Sequence, residues 1–153
     1  MTGFIQIKSI SFTIFCLLFL ISGSINAQNE DTKYGKILAK SDADQQFGAV
    51  LEFVSISTNT LQDLLGKSEK TVMFKIIDKE LYVLNNNREV IYPAGGMVAA
   101  DVKLAVYSIS VISKLIADGN QSSTQVEQRS EVLSITNGNQ TLEYSSWCPP
   151  LCQ

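Results

Sequence analysis

The chain has 153 residues, contains no histidine and carries a formal net charge of −3. Because histidine is the usual general base and metal ligand near neutral pH, its absence excludes Ser-His-Asp and Cys-His hydrolysis and histidine zinc sites within this chain. The small negative charge, spread without basic clusters, gives no electrostatic footprint for nucleic acid. Carboxylate, lysine and thiol chemistry remain open.

Residues 1–27 are typical of a secretory signal peptide. Lys8 precedes an apolar run from Ile10 to Ser22, and small residues end the segment at Ala27. Cleavage after Ala27 would leave 153 − 27 = 126 residues, enough for one domain. A retained anchor would need about 20 apolar residues, and this run is shorter. A lipoprotein would use Cys16, which lies inside the apolar run instead of at its end.

The signal end followed by Gln28 resembles exported proteins of envelope-bearing bacteria. We therefore expect a bacterial periplasmic or secreted protein. The chain also has two glycosylation sequons, at Asn120 and Asn139, and both fall in predicted loops. They would accept glycans only in a eukaryotic secretory pathway, so in an exported bacterial protein they have no function.

The first elements after the signal differ in polarity. Residues 28–46 are polar and predict a tail that leads into the domain. Residues 48–57 are rich in β-branched and aromatic side chains and predict a strand. A short helix should follow over residues 58–66, with Thr58 or Asn59 as its cap and Gly66 as its end.

Residues 71–93 predict three successive strands. Val72, Phe74 and Ile76 alternate with apolar Met73 and Ile77, so both faces of the first strand are apolar. Such strands are usually central and covered on both sides. Polar turns separate the three strands, and a proline ends the third.

The order of elements then repeats. Residues 103–110 alternate like a strand, and residues 111–119 place Ile112, Leu115 and Ile116 on one helical stripe. A separation of 53 residues relates the two Ser-Ile-Ser triplets, although the apolar stripes then fall out of register by two. This order indicates a β-α-β-β pseudo-repeat as one interpretation.

A polar loop over residues 120–125 should precede a hairpin that turns at Asn137-Gly138. We expect Leu133, Ile135, Leu142 and Tyr144 to face inward, and Ser134 and Thr136 to face water. The whole pattern predicts an α+β, two-layer sandwich: a mainly antiparallel sheet with two short helices on one face. The single domain should span residues 47–147, followed by a Cys-Pro-Pro-Leu-Cys tail at 148–153.

The two cysteines of the tail are the clearest chemical feature. With Cys16 removed, Cys148 and Cys152 form an even pair in an oxidising compartment, which favours a disulfide that closes the tail. Pro149 and Pro150 favour extended backbone, so closure needs a sharp turn or a cis proline. Trp147 would seat this loop, and Trp147, Pro149 and Pro150 make up the predicted interaction surface.

Three other uses of the cysteines stay open. A redox site would favour a C-x-x-C spacing and a following helix, a Cu(I) site would need only two thiolates, and either thiol could pair with another chain. Carboxylates offer the other chemistry: Glu127 with Glu131, and Asp42 with Asp44, lie close in sequence. Solvated charge explains both pairs, so we predict no catalytic residue, metal ligand or cofactor.

Two functional hypotheses result. The preferred one is an exported, non-enzymatic binding or interaction module for a protein or envelope ligand, with no nucleic-acid partner and no membrane attachment after cleavage. The alternative is a thiol-dependent redox or copper-handling protein that uses Cys148 and Cys152.

Overall fold

A computed structural model of the protein describes residues 33–148, and these form ten strands and three helices. The elements are β1 (Lys36–Ala39), α1 (Lys40–Phe47), β2 (Glu52–Ser57), α2 (Thr58–Leu65), β3 (Thr71–Ile77), β4 (Glu80–Leu84), β5 (Val90–Tyr92), β6 (Leu104–Ser108), α3 (Ile109–Gly119), β7 (Ser123–Gln128), β8 (Leu133–Asn137), β9 (Gln140–Glu143) and β10 (Ser146–Cys148). The predicted α+β class with antiparallel strands is confirmed.

The strands form two five-stranded antiparallel sheets. Sheet A has the order β1-β9-β8-β7-β2, and sheet B has the order β10-β6-β3-β4-β5. The strands β7, β8 and β9 follow one another in sheet A, as β3, β4 and β5 do in sheet B. However, β2 pairs with β7 instead of with β3, β4 or β5, and β6 pairs with β3 instead of with β7, β8 or β9. This exchange produces two sheets where the sequence pattern indicated one.

The main apolar core contains side chains from both sheets and from helices α2 and α3. The predicted helical stripes are confirmed, since all six of their members are buried: Leu61, Leu64, Leu65, Ile112, Leu115 and Ile116. A second cluster lies on the other face of sheet B and includes Met73, Leu84 and Val106. The prediction that β3 is covered on both faces is therefore also confirmed.

The predicted repeat is present in the fold, with a different separation. Ser57 and Ser108 are the residues that precede α2 and α3, and 108 − 57 = 51. The same shift of 51 takes the buried stripe of α2 onto that of α3, since 61, 64 and 65 become 112, 115 and 116. The mismatch of two residues in the sequence comparison arose because the triplets, not the helix starts, were aligned.

The predicted tail at residues 28–46 is wrong for its second half. Residues 36–39 form β1, which pairs with β9, and residues 40–47 form α1. Both elements belong to the same compact unit as the other described residues. Helix α1 lacks an apolar stripe, and Ala43 is its only buried residue. Its polar contacts, described below, were invisible in the local sequence pattern.

Three predictions about the last hairpin also need correction. Residues 123–128, expected to lie partly in a loop, form strand β7. Ser134 and Thr136 are buried instead of facing water, and both have polar partners: Ser134 donates to Glu143 Oε1, and Thr136 Oγ1 lies 3.0 Å from Thr141 Oγ1. Tyr144 is 47% exposed instead of facing inward, and its ring packs edge-on against Phe47 of α1.

Candidate functional site

The C-terminal strand β10 holds the described part of the predicted interaction surface. Trp147 and Cys148 pair with Ala105 and Leu104 at the edge of sheet B. Trp147 is 36% exposed, whereas Cys148 is fully buried. The Cys148 Sγ accepts a hydrogen bond of 3.1 Å from Arg88 Nη1. The cysteine is therefore buried beside the edge of sheet B and is not exposed at the surface.

Pro149, Pro150 and Cys152 lie outside the described residues, so the pairing of Cys148 with Cys152 stays a prediction.

Arg88 contacts the end of strand β10 and the loop that precedes β6. Its Nη2 donates to the carbonyl oxygens of Ala99 (3.0 Å) and Val102 (2.8 Å). The guanidinium therefore ties the loop before β6 to the cysteine side of β10.

The two predicted carboxylate pairs are separated by the fold. Glu131 and Asp42 are exposed, whereas Glu127 and Asp44 meet around Arg129. Arg129 is fully buried between sheet A and α1, and its Nη2 lies 2.9 Å from Asp44 Oδ1 and 3.0 Å from Glu127 Oε2. It also donates to the carbonyl oxygen of Gly48 at the end of α1.

A third carboxylate, from Glu143, completes this charged cluster. Its Oε1 accepts a 2.6 Å hydrogen bond from Ser134 and lies 3.4 Å from Arg129 Nε, while Oε2 is buried without a hydrogen-bond partner. Burial raises the pKa of the Glu143 carboxyl above its ordinary value, against the opposing effects of Ser134 and Arg129. At the rim, the hydrogen bond from Lys40 lowers the pKa of Asp44, and Arg129 adds to the effect.

The buried charged cluster has the features of a structural ion-pair network, not of a catalytic site. Arg129, Glu127 and Glu143 are all buried, and Arg129 donates to Asp44 of α1 and to Gly48 at the end of that helix. Among residues 33–148, no group of three or more cysteine, aspartate and glutamate side chains is placed to hold a metal ion. Nor is any helix in this part of the chain long and apolar enough to cross a bilayer.

Open polar hollows surround one end of sheet A. One hollow, of about 430 Å³, lies between the start of α2 and the end of α3, and two more, of about 380 and 270 Å³, lie beside the β8-β9 turn. Gln121 borders all three. Asn120 directly follows α3 and Asn139 lies in the β8-β9 turn, so both occupy loops as predicted. Both also border hollows at this end.

Strand β2 forms the other edge of sheet A. Within the described residues it pairs only with β7. Thr58, directly after the strand, donates its amide to Ser122 of the β7 side at 2.9 Å. Since bonded residues alternate along an antiparallel ladder, Val54 and Ile56 also bond β7, and the main-chain groups of Phe53 and Ser55 point away from it.

Exposed apolar side chains accompany this edge, beside which no other described strand lies. Leu51 is 71% exposed and Phe53 is 57% exposed, two residues apart. Val54 and Ile56 face the opposite way and contribute to the main core. The strand is thus anchored on its inner face, while its edge presents the amides and carbonyls of Phe53 and Ser55 next to the exposed Phe53 ring.

The other sheet edges carry features that discourage strand pairing. β1 begins with Lys36; β5 has three residues and is followed by Pro93; β10 has three residues and is followed by two prolines in the sequence. Charge, proline and short length are the usual protections of edge strands. β2 has six residues, of which Glu52 is the only charged one, and no proline. It is the least protected edge among the described strands.

No protein-family model, curated protein or solved structure matches this chain. The candidate site therefore rests on the geometry of the chain itself. Sequence reasoning identified β2 as a strand but not as an edge, because its neighbours are set by long-range pairing. The signal that could have helped was the Leu51-Glu52-Phe53 stretch, where apolar side chains occur on the face that does not build the core.

Proposed function

We propose that the protein is an exported, non-catalytic polypeptide-binding module whose β2 edge takes up an extended segment of a partner. One observation carries the proposal: along the six-residue edge strand, the main-chain groups of Phe53 and Ser55 meet no strand within residues 33–148, and they lie beside the exposed side chains of Leu51 and Phe53. Addition of a strand to an open edge satisfies such groups without any change in the fold.

The physical basis of such binding has two parts. Main-chain hydrogen bonds to Phe53 and Ser55 would add a strand largely independently of its sequence, and contact with the Phe53 ring would favour apolar side chains on the outer face. The inner contacts of Val54 and Ile56 hold the edge in place before binding. The partner segment alone must then become ordered, which limits the entropic cost of binding.

Export belongs to the proposal through the predicted signal peptide at residues 1–27, which lies outside the described residues. The thiol alternative also stays a prediction, because its second cysteine, Cys152, lies outside them. Neither affects the geometry of β2, which depends on residues 51–58 and their pairing with β7.

The test blocks the edge without breaking the sheet. In Ser55→Pro the lost amide is one that points away from β7, so the β2-β7 ladder keeps its bonds. Ser55→Ala is the matched control, since it removes the hydroxyl and keeps the amide. Random linear peptides displayed on phage are selected on the wild-type protein, and their dissociation constants are measured on all three proteins by calorimetry.

We expect selected peptides to bind wild type and Ser55→Ala equally and to lose at least about tenfold in affinity on Ser55→Pro, roughly 1.4 kcal/mol. Circular dichroism and urea unfolding establish that the proline variant is folded. Peptides that bind all three proteins alike would show that the edge is not the binding site. Failure to select any peptide that depends on the Ser55 amide would remove the proposal.

A further inference from the structure

The two halves of the fold are related in detail, and the relation includes main-chain hydrogen bonds. Thr58 donates its amide to the carbonyl oxygen of Ser122, and Ile109 donates its amide to that of Lys70. The shift from Thr58 to Ile109 is again 109 − 58 = 51, as for Ser57 and Ser108. Strand β2 in sheet A is therefore the counterpart of β6 in sheet B.

The counterpart edge on β6 is occupied. With the same shift of 51, Phe53 corresponds to Leu104, Val54 to Ala105 and Ser55 to Val106. The strand β10 runs antiparallel along this edge, with Cys148 opposite Leu104, Trp147 opposite Ala105 and Ser146 opposite Val106. Next to it, the amide of Ser108 donates to the carbonyl oxygen of Tyr34 at 2.9 Å. The chain thus fills at β6 the place that no described strand fills at β2.

We infer that the β2 edge receives a partner segment in the place that β10 takes on β6: antiparallel to β2, with an apolar residue opposite Val54 and a basic residue opposite Glu52. This inference rests on the proposed function and specifies its partner. Val54 is half-buried and packs against the main core, as the counterpart position opposite Trp147 does. An apolar side chain there would extend the core across the new strand.

Charge determines the second requirement. Residues 49–62, which include β2 and the start of α2, contain Glu52 and no lysine or arginine. In the antiparallel arrangement, the residue two positions after the one opposite Val54 lies opposite Glu52, on the same face of the sheet. Opposite charges at such cross-strand positions attract, and like charges repel, by about 0.2–1 kcal/mol. The partner is therefore an extended polypeptide with an apolar-x-basic pattern.

The orientation is tested with the tightest peptide from the selection, carrying a nitroxide spin label at either its amino or its carboxyl end. We expect the amino-terminal label to reduce the NMR amide signals of Ser57 and Thr58, and the carboxyl-terminal label to reduce those of Leu51 and Glu52. The reverse pattern would mean parallel binding and would overturn the inference while leaving the proposed function intact.

The charge requirement is tested by exchange of partners. Glu52→Lys replaces an attraction by a repulsion, so it should weaken a peptide with lysine opposite position 52 by about 2- to 30-fold, twice the cross-strand energies above. Replacement of that lysine by glutamate should restore the affinity. Equal binding of both peptides to both proteins would overturn the register. If no peptide depends on the Ser55 amide, the proposed function fails first and this inference fails with it.

Discussion

Arg129 Nε lies 3.4 Å from Glu143 Oε1, and neither side chain has any exposed surface. The pair sits on the outer face of sheet A, beneath a helix that buries only one residue of its own. A guanidinium in this position holds three carboxylates and the end of α1 together. The position of α1 therefore depends on a buried cation more than on an apolar face.

Replacing Arg129 by methionine should destabilise the protein strongly. The substitution keeps apolar bulk but leaves Glu143 buried without its cation and Glu127 with only Lys40, 4.0 Å away. Loss of one partner of a buried ion pair typically lowers the free energy of unfolding by about 3–5 kcal/mol. Urea unfolding followed by circular dichroism measures the change. Lys114→Met is the control, because the Lys114–Asp118 pair is exposed and such pairs contribute at most about 1 kcal/mol. Equal effects of the two substitutions would contradict the role given to Arg129.

The stability of the folded protein should depend on pH through Glu143. Because its folded pKa lies above the ordinary value of 4.5, the native state binds this proton more tightly than the unfolded chain does. This contribution is complete below pH 4.5 and is lost as pH rises through the folded pKa. Glu143→Gln cannot lose the proton, so the variant should gain stability relative to wild type as pH rises, in unfolding curves from pH 4 to 8.

Asp44 provides the contrast of opposite sign. Its folded pKa lies below the ordinary value of 3.8, so its contribution is present above that pH and is lost as pH falls through the folded pKa. Asp44→Asn should therefore have a lower free energy of unfolding than wild type near neutral pH, and the two values should converge in acid. A Glu143→Gln profile parallel to that of wild type across the whole range would show that folding does not shift the pKa of Glu143, and would contradict the direction given above.

The sequence predicted the elements whose stability is local or apolar. The continuous apolar run of β3 and the stripes of α2 and α3 were read correctly because burial on one or both faces leaves a periodic pattern. Strand β7 was missed because its sequence is mostly polar, although it pairs with the next strand, β8. Helix α1 was missed because its contacts come from partners far along the chain. Arg129 donates a hydrogen bond to Asp44 of α1, and the two residues are 85 positions apart in the sequence. No local sequence pattern contains that contact.

The order of strands in the two sheets could not be predicted from the sequence, for a similar reason. Alternation of side chains shows which residues of β2 and β6 face inward, but not which strand lies beside them. Each of these strands pairs with a strand of the other half, so one predicted sheet became two. The candidate site is a sheet edge, and an edge exists only once the neighbours of every strand are known.

Amide exchange should show the two-residue period of the β2 edge directly. The amides of Val54 and Ile56 bond β7 and should exchange slowly, whereas those of Phe53 and Ser55 point away and should exchange faster by at least an order of magnitude. Hydrogen exchange followed by two-dimensional NMR measures each amide. Slow exchange at Phe53 and Ser55 in the free protein would mean that the edge is already covered, which would contradict the proposed site.

Gly119 and Gly66 form a matched pair in which the same substitution should have opposite effects. Gly119 lies at the end of α3, where a Cβ would come within 2.2 Å of the Asn137 side-chain oxygen and 2.5 Å of its carbonyl oxygen. Asn137 cannot move freely, because it is fully buried, donates to Thr124 Oγ1 at 2.9 Å and accepts from the Gln121 amide at 3.1 Å. A Cβ at Gly66 would meet only ordinary contacts, the nearest at 3.5 Å.

Alanine normally favours a helix over glycine by about 0.5–1 kcal/mol, so helix propensity alone predicts stabilisation at both sites. At Gly119 the clash with Asn137 should outweigh this gain, since overpacking against rigid neighbours costs about 1–3 kcal/mol. Gly66 has a φ of −66° that alanine adopts without strain, so Gly66→Ala should stabilise the protein by a few tenths to 1 kcal/mol. Thermal unfolding of the two variants measures both signs. Stabilisation by Gly119→Ala would mean that the Asn137 turn yields, and that the polar end of sheet A is less rigid than its hydrogen bonds indicate.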